Sequence, residues 1–299
     1  MKILVTGGCG FIGSHLVDEL VQRGYDVVVM DDCSANNDQF YFNEKATYHK
    51  NSVTDEEAVL KISKNCDYVF HLAAESRLQN SITNPSRAVE VNVMGTLNVF
   101  KACKENNIKG LIISTNSCIY GLTDQLPITE NNKEDCLNPY GSTKYAAELL
   151  IKNYHLLFGV KSCILRYFNV FGERAPSKGP YALVTSIFFR QKKAGEPLTV
   201  VGNGKQERDF IYVKDVVAAN ISCMENWNKE KTLQRAEVYN VGSGTAIKIL
   251  DLAKQIDNNI VFLAPRQGEA KNNLCSYKKL NSATGWTPRV HIYEWLKTQ

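Results

Sequence analysis

Tyr140 and Lys144 stand four residues apart in the run Asn138-Pro139-Tyr140-Gly141-Ser142-Thr143-Lys144. The spacing of Tyr145, Leu149, Leu150, Tyr154 and Leu157 predicts a helix over Tyr140–Phe158, and Pro139 suits its first turn. Residues i and i+4 share a helix face, so the phenol and the ammonium project together. A tyrosine of pKa about 10 is a poor base at neutral pH. A neighbouring cation favours the phenolate, and such a pair can exchange a proton with a substrate hydroxyl. By itself the pair also fits a surface lysine beside a half-buried tyrosine, so its meaning depends on what the rest of the chain puts around it.

The first residues supply that context. A short apolar strand over residues 2–6 leads into Gly7-Gly8-Cys9-Gly10-Phe11-Ile12-Gly13 and then into Ser14–Val21, which has helical spacing. Strand, glycine turn and helix together make a dinucleotide cradle. The glycines let the backbone approach a pyrophosphate, and the helix N-terminus offers N–H groups and a positive dipole end. A second strand, Asp26–Met30, ends in Asp31-Asp32. Carboxylates there bond the adenosine ribose hydroxyls and repel a 2′-phosphate, which favours NAD over NADP.

The alternation continues. Ala46–Lys50 reads as a strand and Asp55–Ser63 as a helix, with Thr54 as its expected N-cap. Tyr68-Val69-Phe70-His71-Leu72-Ala73-Ala74 is a buried strand leaving through small residues. Pro85–Asn106 reads as one long helix, and Leu111–Thr115 and Lys161–Arg166 as further strands. Strands alternating with helices predict an α/β fold with a doubly wound parallel sheet, whose ligands sit at the carboxyl ends of the strands. Gly7, Asp31, His71–Ala74 and Ser114–Ser117 all fall at such ends.

Beyond residue 167 the pattern loosens. A helix is expected over Ala182–Ala194, with short strands at Pro197–Val201, Asp209–Val213 and Val238–Val241. The division expected is a Rossmann domain over 1–167 and a smaller, irregular substrate lobe over 168–299, with segments around 208–245 returning to the first domain. Arg208, Arg266 and Lys271 are candidates for meeting an anionic substrate.

Composition bounds the rest. The 299 residues carry a net charge of +4, with no Lys/Arg run of the kind that binds nucleic acid. Met1–Val5 is too short for a signal peptide, and no stretch reaches the ~20 apolar residues of a membrane span. A cytoplasmic protein is expected. Nine cysteines without a Cys-x-x-Cys pair argue against a disulfide framework or a zinc site. No metal is expected, and most of the thiols read as small buried hydrophobes.

These motifs together resemble the extended short-chain dehydrogenase/reductase family, and within it the UDP-glucose 4-epimerase-like nucleotide-sugar epimerases. The matching runs are Thr6–His15, His71–Ser76, Asn92–Thr96, Tyr140–Lys144, Arg166–Gly172 and Arg208–Val213, in the family's order along nearly the whole chain. The resemblance implies tightly held NAD, contacted by Gly7, Gly10, Phe11, Ile12, Gly13, Asp31, Asp32, Ser52, Val53, Leu72, Ala73, Ala74, Asn92, Ser114, Tyr140, Lys144 and Tyr167. It implies a nucleotide-sugar substrate, a UDP-sugar above all, held by Asn116, Tyr140, Asn169, Arg208, Arg266 and Glu269. Tyr140 would deprotonate the C4 hydroxyl while the C4 hydride passes to NAD and returns on the other face. Lys144 would hold the nicotinamide ribose and depress the Tyr140 pKa. The family commonly forms homodimers through a four-helix bundle, here built from Pro85–Asn106 and Tyr140–Phe158.

There are departures. The family usually has Ser or Thr four residues before the tyrosine that corresponds to Tyr120; this chain has Asn116. An amide can donate a hydrogen bond but cannot relay a proton as a hydroxyl does, and Thr115 or Ser117 are candidate substitutes. The aspartate expected near the adenine is Ser52, which implies weaker cofactor retention. Related 4,6-dehydratases carry Asp-Glu where this chain has Ser117-Cys118, which disfavours dehydration. Ser114-Thr115-Asn116 resembles the CDP-paratose 2-epimerase branch. Cys118-Ile119-Tyr120 resembles GDP-sugar 3,5-epimerases, whose cysteine is an acid/base; Cys118 is read instead as a small buried residue. The residue that gates the sugar's C2 group in related epimerases is Asn273, small enough to imply that N-acetylated sugars are accepted. Epimerisation at C2 or at C3/C5 remains the enzymatic alternative, and a non-catalytic NAD-binding protein the alternative of another class.

Overall fold

Alternation within the strands sets the layers of the molecule. In the first strand, Ile3 and Val5 point into one hydrophobic cluster and Leu4 into another. Val27 and Val29 against Val28 and Met30, and Ile112 against Leu111 and Ile113, repeat the pattern. A strand apolar on both faces must be covered on both, which is the signature of a parallel sheet between helices.

A computed structural model describes residues 1–35, 39–76, 78–178, 182–265 and 272–299. Its strands are β1 (Lys2–Thr6), β2 (Asp26–Met30), β3 (Thr47–His49), β4 (Tyr68–His71), β5 (Gly110–Asn116) and β6 (Ser162–Tyr167), then β7 (Asn169–Phe171), β8 (Leu198–Val201), β9 (Glu207–Tyr212), β10 (Glu237–Val241), β11 (Ala246–Lys248) and β12 (Ile260–Leu263). The first helices are α1 (Phe11–Gln22), α2 (Glu56–Ile62), α3 (Leu78–Thr83), α4 (Pro85–Val89), α5 (Thr96–Glu105) and α6 (Pro139–Phe158). The later ones are α7 (Val184–Ala194), α8 (Val213–Glu225), α9 (Ile249–Ile256), α10 (Lys278–Thr284) and α11 (Ile292–Leu296).

The central sheet has seven parallel strands in the order β10-β6-β5-β4-β1-β2-β3. The chain winds one way from β1 to β3 and the other way from β4, so the switch point lies between β1 and β4. Helices α1 and α8 cover one face of the sheet, and α2, α5 and α6 the other. The remaining strands form a three-stranded sheet, β11-β9-β7, and a pair, β12-β8. They pack with α7, α9 and α11 around Phe171, Phe188, Phe210, Leu252 and Trp295. Among the described residues no helix is long and apolar enough to cross a membrane.

Three elements differ from expectation. Helix α2 is capped by Asp55, whose carboxylate accepts from Ala58 N at 3.0 Å, and not by Thr54, whose hydroxyl donates to Ser52. The segment expected as one helix from Pro85 is α4, a π-helical turn over Glu90–Gly95, and α5. A Cβ on Gly95 would lie 2.6 Å from Val53 Cγ2, so that glycine lets the turn close onto the loop after β3. The third is α8, a helix not expected, which begins at Val213, the last residue of the expected strand. It lies beside α1 on the central sheet, which β10 extends within the 208–245 stretch expected there.

Candidate active site

The longest helix behind the site, α6, starts as its sequence dictates. The Asn138 side chain accepts from Gly141 N at 2.9 Å, Pro139 occupies the first turn, and Gly159 ends the helix at φ 69°. Three residues four apart on its inner face, Tyr140, Lys144 and Glu148, enter the sheet's carboxyl edge. Tyr140 is half-buried, Lys144 buried and Glu148 fully enclosed.

Tyr140 and Lys144 line a cleft of about 640 Å³ that runs from the glycine turn to β9. Gly7, Gly10, Phe11, Ile12, Gly13, Asp31, Asp32, Ser52, Val53, Leu72, Ala73 and Ala74 line one end. Ser114, Thr115, Asn116, Ser117, Cys118, Tyr167, Asn169, Arg208 and Asn273 line the middle and the other end. Arg266, Glu269 and Lys271 lie outside the described residues. Asn92 does not face the cleft: it is fully buried, and its amide bonds Glu75 N, Glu75 O and Thr143 Oγ1, bracing the loop after β4 against α6.

The glycine turn is built by close approach. A Cβ on Gly13 would stand 2.1 Å from Gly7 O, and one on Gly7 would stand 2.7 Å from Ala73 N, besides requiring φ 73°. Gly10 differs. Its backbone is ordinary, and a Cβ there would meet only Gly7 O, at 3.5 Å. The room it leaves is room in the cleft, over the N-terminus of α1, which is where a dinucleotide's pyrophosphate fits. Asp31 accepts from Cys9 N and Cys33 N, both at 2.9 Å, so this carboxylate ties the turn to the end of β2. Burial raises the Asp31 pKa against those hydrogen bonds, and burial followed by Asp31 itself pushes the Cys9 thiol up. The donor set fits NAD: bare main chain for the phosphates and carboxylates for an unphosphorylated ribose.

The electrostatics at Tyr140 depart from the sequence expectation. Burial pushes its phenol well above the ordinary range, Cys118 and Glu75 add to the shift, and a hydrogen bond from the Asn116 side chain opposes it. Lys144 does not depress it here. That ammonium donates to Ser114 O at 3.1 Å, and burial lowers its own pKa to about 8 against the pull of Glu148. Cys118, expected in the core, is half-buried and lines the cleft beside Tyr140. His71 is structural: Thr6 Oγ1 is 2.7 Å from Nδ1 and Thr96 Oγ1 is 3.0 Å from Nε2. Burial holds its pKa down at about 3, so it stays neutral.

Two carboxylates behind the site were not among the site residues expected from the sequence. Glu148 accepts from Thr115 Oγ1 at 2.7 Å and takes both Nε and Nη2 of the fully buried Arg166, at 3.0 and 2.6 Å. Arg166 also pairs with Glu134 and lies over the Tyr120 ring. Asp209 accepts from Ser243 N, Ser243 Oγ, Gly244 N and Cys275 N, while its own carbonyl takes the Asn169 amide at 2.9 Å. The only signal for Glu148 was its place one turn after Lys144. The signal for Asp209 was its neighbour Arg208.

A cleft at the switch point, glycines at its cradle and the Tyr140–Lys144 pair on its wall are the frame in which the chain's relatives are read. Residues 3–242 match the NAD dependent epimerase/dehydratase family. The chain belongs to that family. It is 36% identical over 303 residues, 99% of this chain and 96% of the relative, to a putative UDP-glucose 4-epimerase of Methanocaldococcus jannaschii. Among solved structures, a UDP-glucose 4-epimerase of Thermotoga maritima with UDP-glucose is 34% identical at a TM-score of 0.91. A UDP-N-acetylglucosamine 4-epimerase of Methanobrevibacter ruminantium M1, in complex with UDP-N-acetylmuramic acid, is 34% identical at 0.87. Each alignment covers 99% of this chain and 96% of the solved one.

Proposed function

We propose that this member of the epimerase/dehydratase family is an NAD-dependent UDP-sugar 4-epimerase. The observation that carries the reading is the placement of Tyr140 and Lys144 on the wall of one cleft, between the glycine turn and the Asn169–Arg208 end. The names of the relatives above support the choice of sugar nucleotide and of C4. The main chain of Gly7–Gly13 and the Asp31 carboxylate hold the dinucleotide, and Lys144 holds its nicotinamide ribose. When bound, NAD would supply the hydride acceptor and donor for C4, and the positive charge of its oxidised ring would favour the Tyr140 phenolate.

Tyr140 takes the proton of the C4 hydroxyl as the ketone forms and gives it back as the ketone is reduced. Arg208 and Asn169 hold the diphosphate end, so that the sugar can turn while the nucleotide stays fixed. Asn273 is a small group beside Ser117, and N-acetylated sugars are accepted. Leu156 and Leu157, 78% and 73% exposed at the end of α6, and Val89, Met94 and Leu149 are apolar side chains left uncovered on the α4–α6 side. They support a homodimer through these helices; light scattering on the purified protein tests it, a monomeric mass counting against it.

The function is tested by product analysis after incubation with UDP-, CDP-, GDP- and dTDP-sugars, wild type beside Tyr140→Phe. Interconversion of a C4 pair of UDP-sugars, reduced about 100-fold or more in the variant, is expected. Conversion of only a CDP- or GDP-sugar, at C2 or at C3/C5, would overturn the reading.

A further inference from the structure

Beside the cofactor end of the cleft lies a cluster that the epimerisation chemistry does not use. Cys9 sits in the glycine turn, Asp31 at the end of β2 and Cys33 two residues beyond it. The two Sγ atoms and an Asp31 carboxylate oxygen all lie within 4.8 Å of one another, and the thiols hydrogen-bond each other. Among the described residues this is the one group of three or more metal-ligand side chains so placed. Cysteine spacing alone argues against a metal site; residues 9 and 33 meet only because β1 and β2 pair. Cys9 is buried, Cys33 and Asp31 are half-buried, and Asp31 lines the cleft while the two cysteines do not. Asp31 is therefore a shared wall, with the thiols on one side and the cofactor's place on the other.

The donor set has a chemical preference. Two sulfurs and one carboxylate oxygen suit a thiophilic ion such as zinc; magnesium and calcium take oxygen ligands. A tetrahedral zinc site, with metal–sulfur about 2.3 Å and metal–oxygen about 2.0 Å, needs ligand atoms about 3.5–3.8 Å apart, which side-chain movements of about 1 Å supply here. Each Asp31 oxygen already accepts one N–H, from Cys9 or from Cys33, and keeps a lone pair for a further partner.

We propose that Cys9, Asp31 and Cys33 form a binding site for a thiophilic divalent cation of the zinc class, and that this cation and NAD oppose each other through Asp31. The second half rests on the reading of Asp31 as the ribose carboxylate of an NAD site. On binding, both S–H bonds break, each sulfur donates its electron pair to the metal, and two protons leave to solvent; nothing is oxidised or reduced. Burial and the Asp31 charge push both thiols up; Asp32 adds to this at Cys33, Lys50 opposes it, and the Tyr48 phenol also faces Cys9. Without a cation the pair stays protonated at neutral pH. The negative charge that keeps it so also attracts a cation, whose own charge then reverses the effect. An ion held by Asp31 draws that carboxylate's charge away from the ribose hydroxyls.

Cadmium is the probe, because its thiolate bonds absorb in the ultraviolet. Reduced, metal-free protein titrated with Cd²⁺ alone is expected to show a charge-transfer band that saturates at one equivalent, with about two protons released per ion. While both thiols are protonated the apparent affinity rises up to about 100-fold per pH unit. Cys9→Ala and Cys33→Ala each weaken binding about 100-fold. Cys136→Ala, which removes a half-buried thiol elsewhere, keeps the band. At saturating Cd²⁺ the affinity for NAD falls about 10-fold, and NAD weakens Cd²⁺ binding by the same factor. In Cys33→Ala, Cd²⁺ leaves NAD affinity unchanged. No band in the wild type, or a band unchanged in both variants, would overturn the site. A band that depends on Cys9 and Cys33, with NAD affinity unmoved, would overturn the opposition through Asp31. Metal-free protein that binds no NAD would overturn the NAD reading beneath it, and the band and its loss in the variants would still decide the site.

Discussion

The two ends of the cleft are held by different means. At the cofactor end the main chain itself is the part that must fit: Gly13 beneath Gly7 O, Gly7 against Ala73 N, and the sheet register that sets the loop after β4 beside the glycine turn. At the substrate end the backbone is irregular, and one side chain organises it. Asp209 gathers donors 34 to 66 residues away in sequence, from Ser243, Gly244 and Cys275, and its carbonyl takes Asn169. A ligand common to many proteins is met by main-chain geometry. The part of the ligand that varies is met by side chains on loops that a few buried groups hold in place.

Breaking the substrate end at its centre has the largest expected effect. Asp209→Ala leaves three N–H groups and a hydroxyl without their acceptor, at a cost of about 4 kcal/mol in stability. Thermal unfolding measures it. In protein that remains folded, KM for the UDP-sugar rises more than the dissociation constant for NAD.

Lys144 comes next. With its folded pKa at about 8 against an ordinary 10.5, burying the charged Lys144 costs about 3 kcal/mol at neutral pH. The unfolded chain binds the extra proton between those two values, so this penalty is present below pH 8 and fades as pH rises to about 10.5. Lys144→Met in cofactor-free protein is therefore expected to be more stable at pH 7, inactive, and no longer more stable near pH 10.5. Denaturant titrations across that range check the sign.

The glycines sharpen the comparison with a smaller effect. Gly13→Ala must move a backbone carbonyl and loses about 2 kcal/mol of stability. Gly10→Ala has room within the protein, keeps its melting temperature, and binds NAD about 10-fold more weakly because the methyl group stands in the cleft. Calorimetric NAD titration beside a melting curve separates the two. Equal melting losses in both variants would show that Gly10 serves the fold and not the ligand.

This division also explains what could be read from the chain alone. The spacing of Gly7, Gly10 and Gly13, the acidic end of β2 and the i, i+4 placing of Tyr140 and Lys144 are local patterns with one geometric meaning each. They lie in contiguous residues, and six strands of the parallel sheet follow from the same regular alternation, whereas β10 comes from the stretch where that pattern loosens. Asp209 and Glu148 had no such mark. A buried carboxylate resembles a surface one until its partners are known, and theirs come from distant segments. Asn92 misled for a related reason: its motif was legible, but a fully buried amide reaching from a π-helical turn to the loop after β4 is a contact that periodicity does not show. The pKa of Tyr140 misled because the i, i+4 rule places two side chains on one face without saying where each points, and Lys144 points to Ser114 O.

The central claim is that a hydride leaves C4 of a UDP-sugar and returns to the same carbon. It is tested most directly with UDP-glucose bearing deuterium at C4. Incubation with the enzyme and nuclear magnetic resonance of the product should show UDP-galactose with the deuterium still at C4, in ordinary water. Epimerised product that has lost the label to solvent, or inversion at a carbon other than C4, would contradict the account.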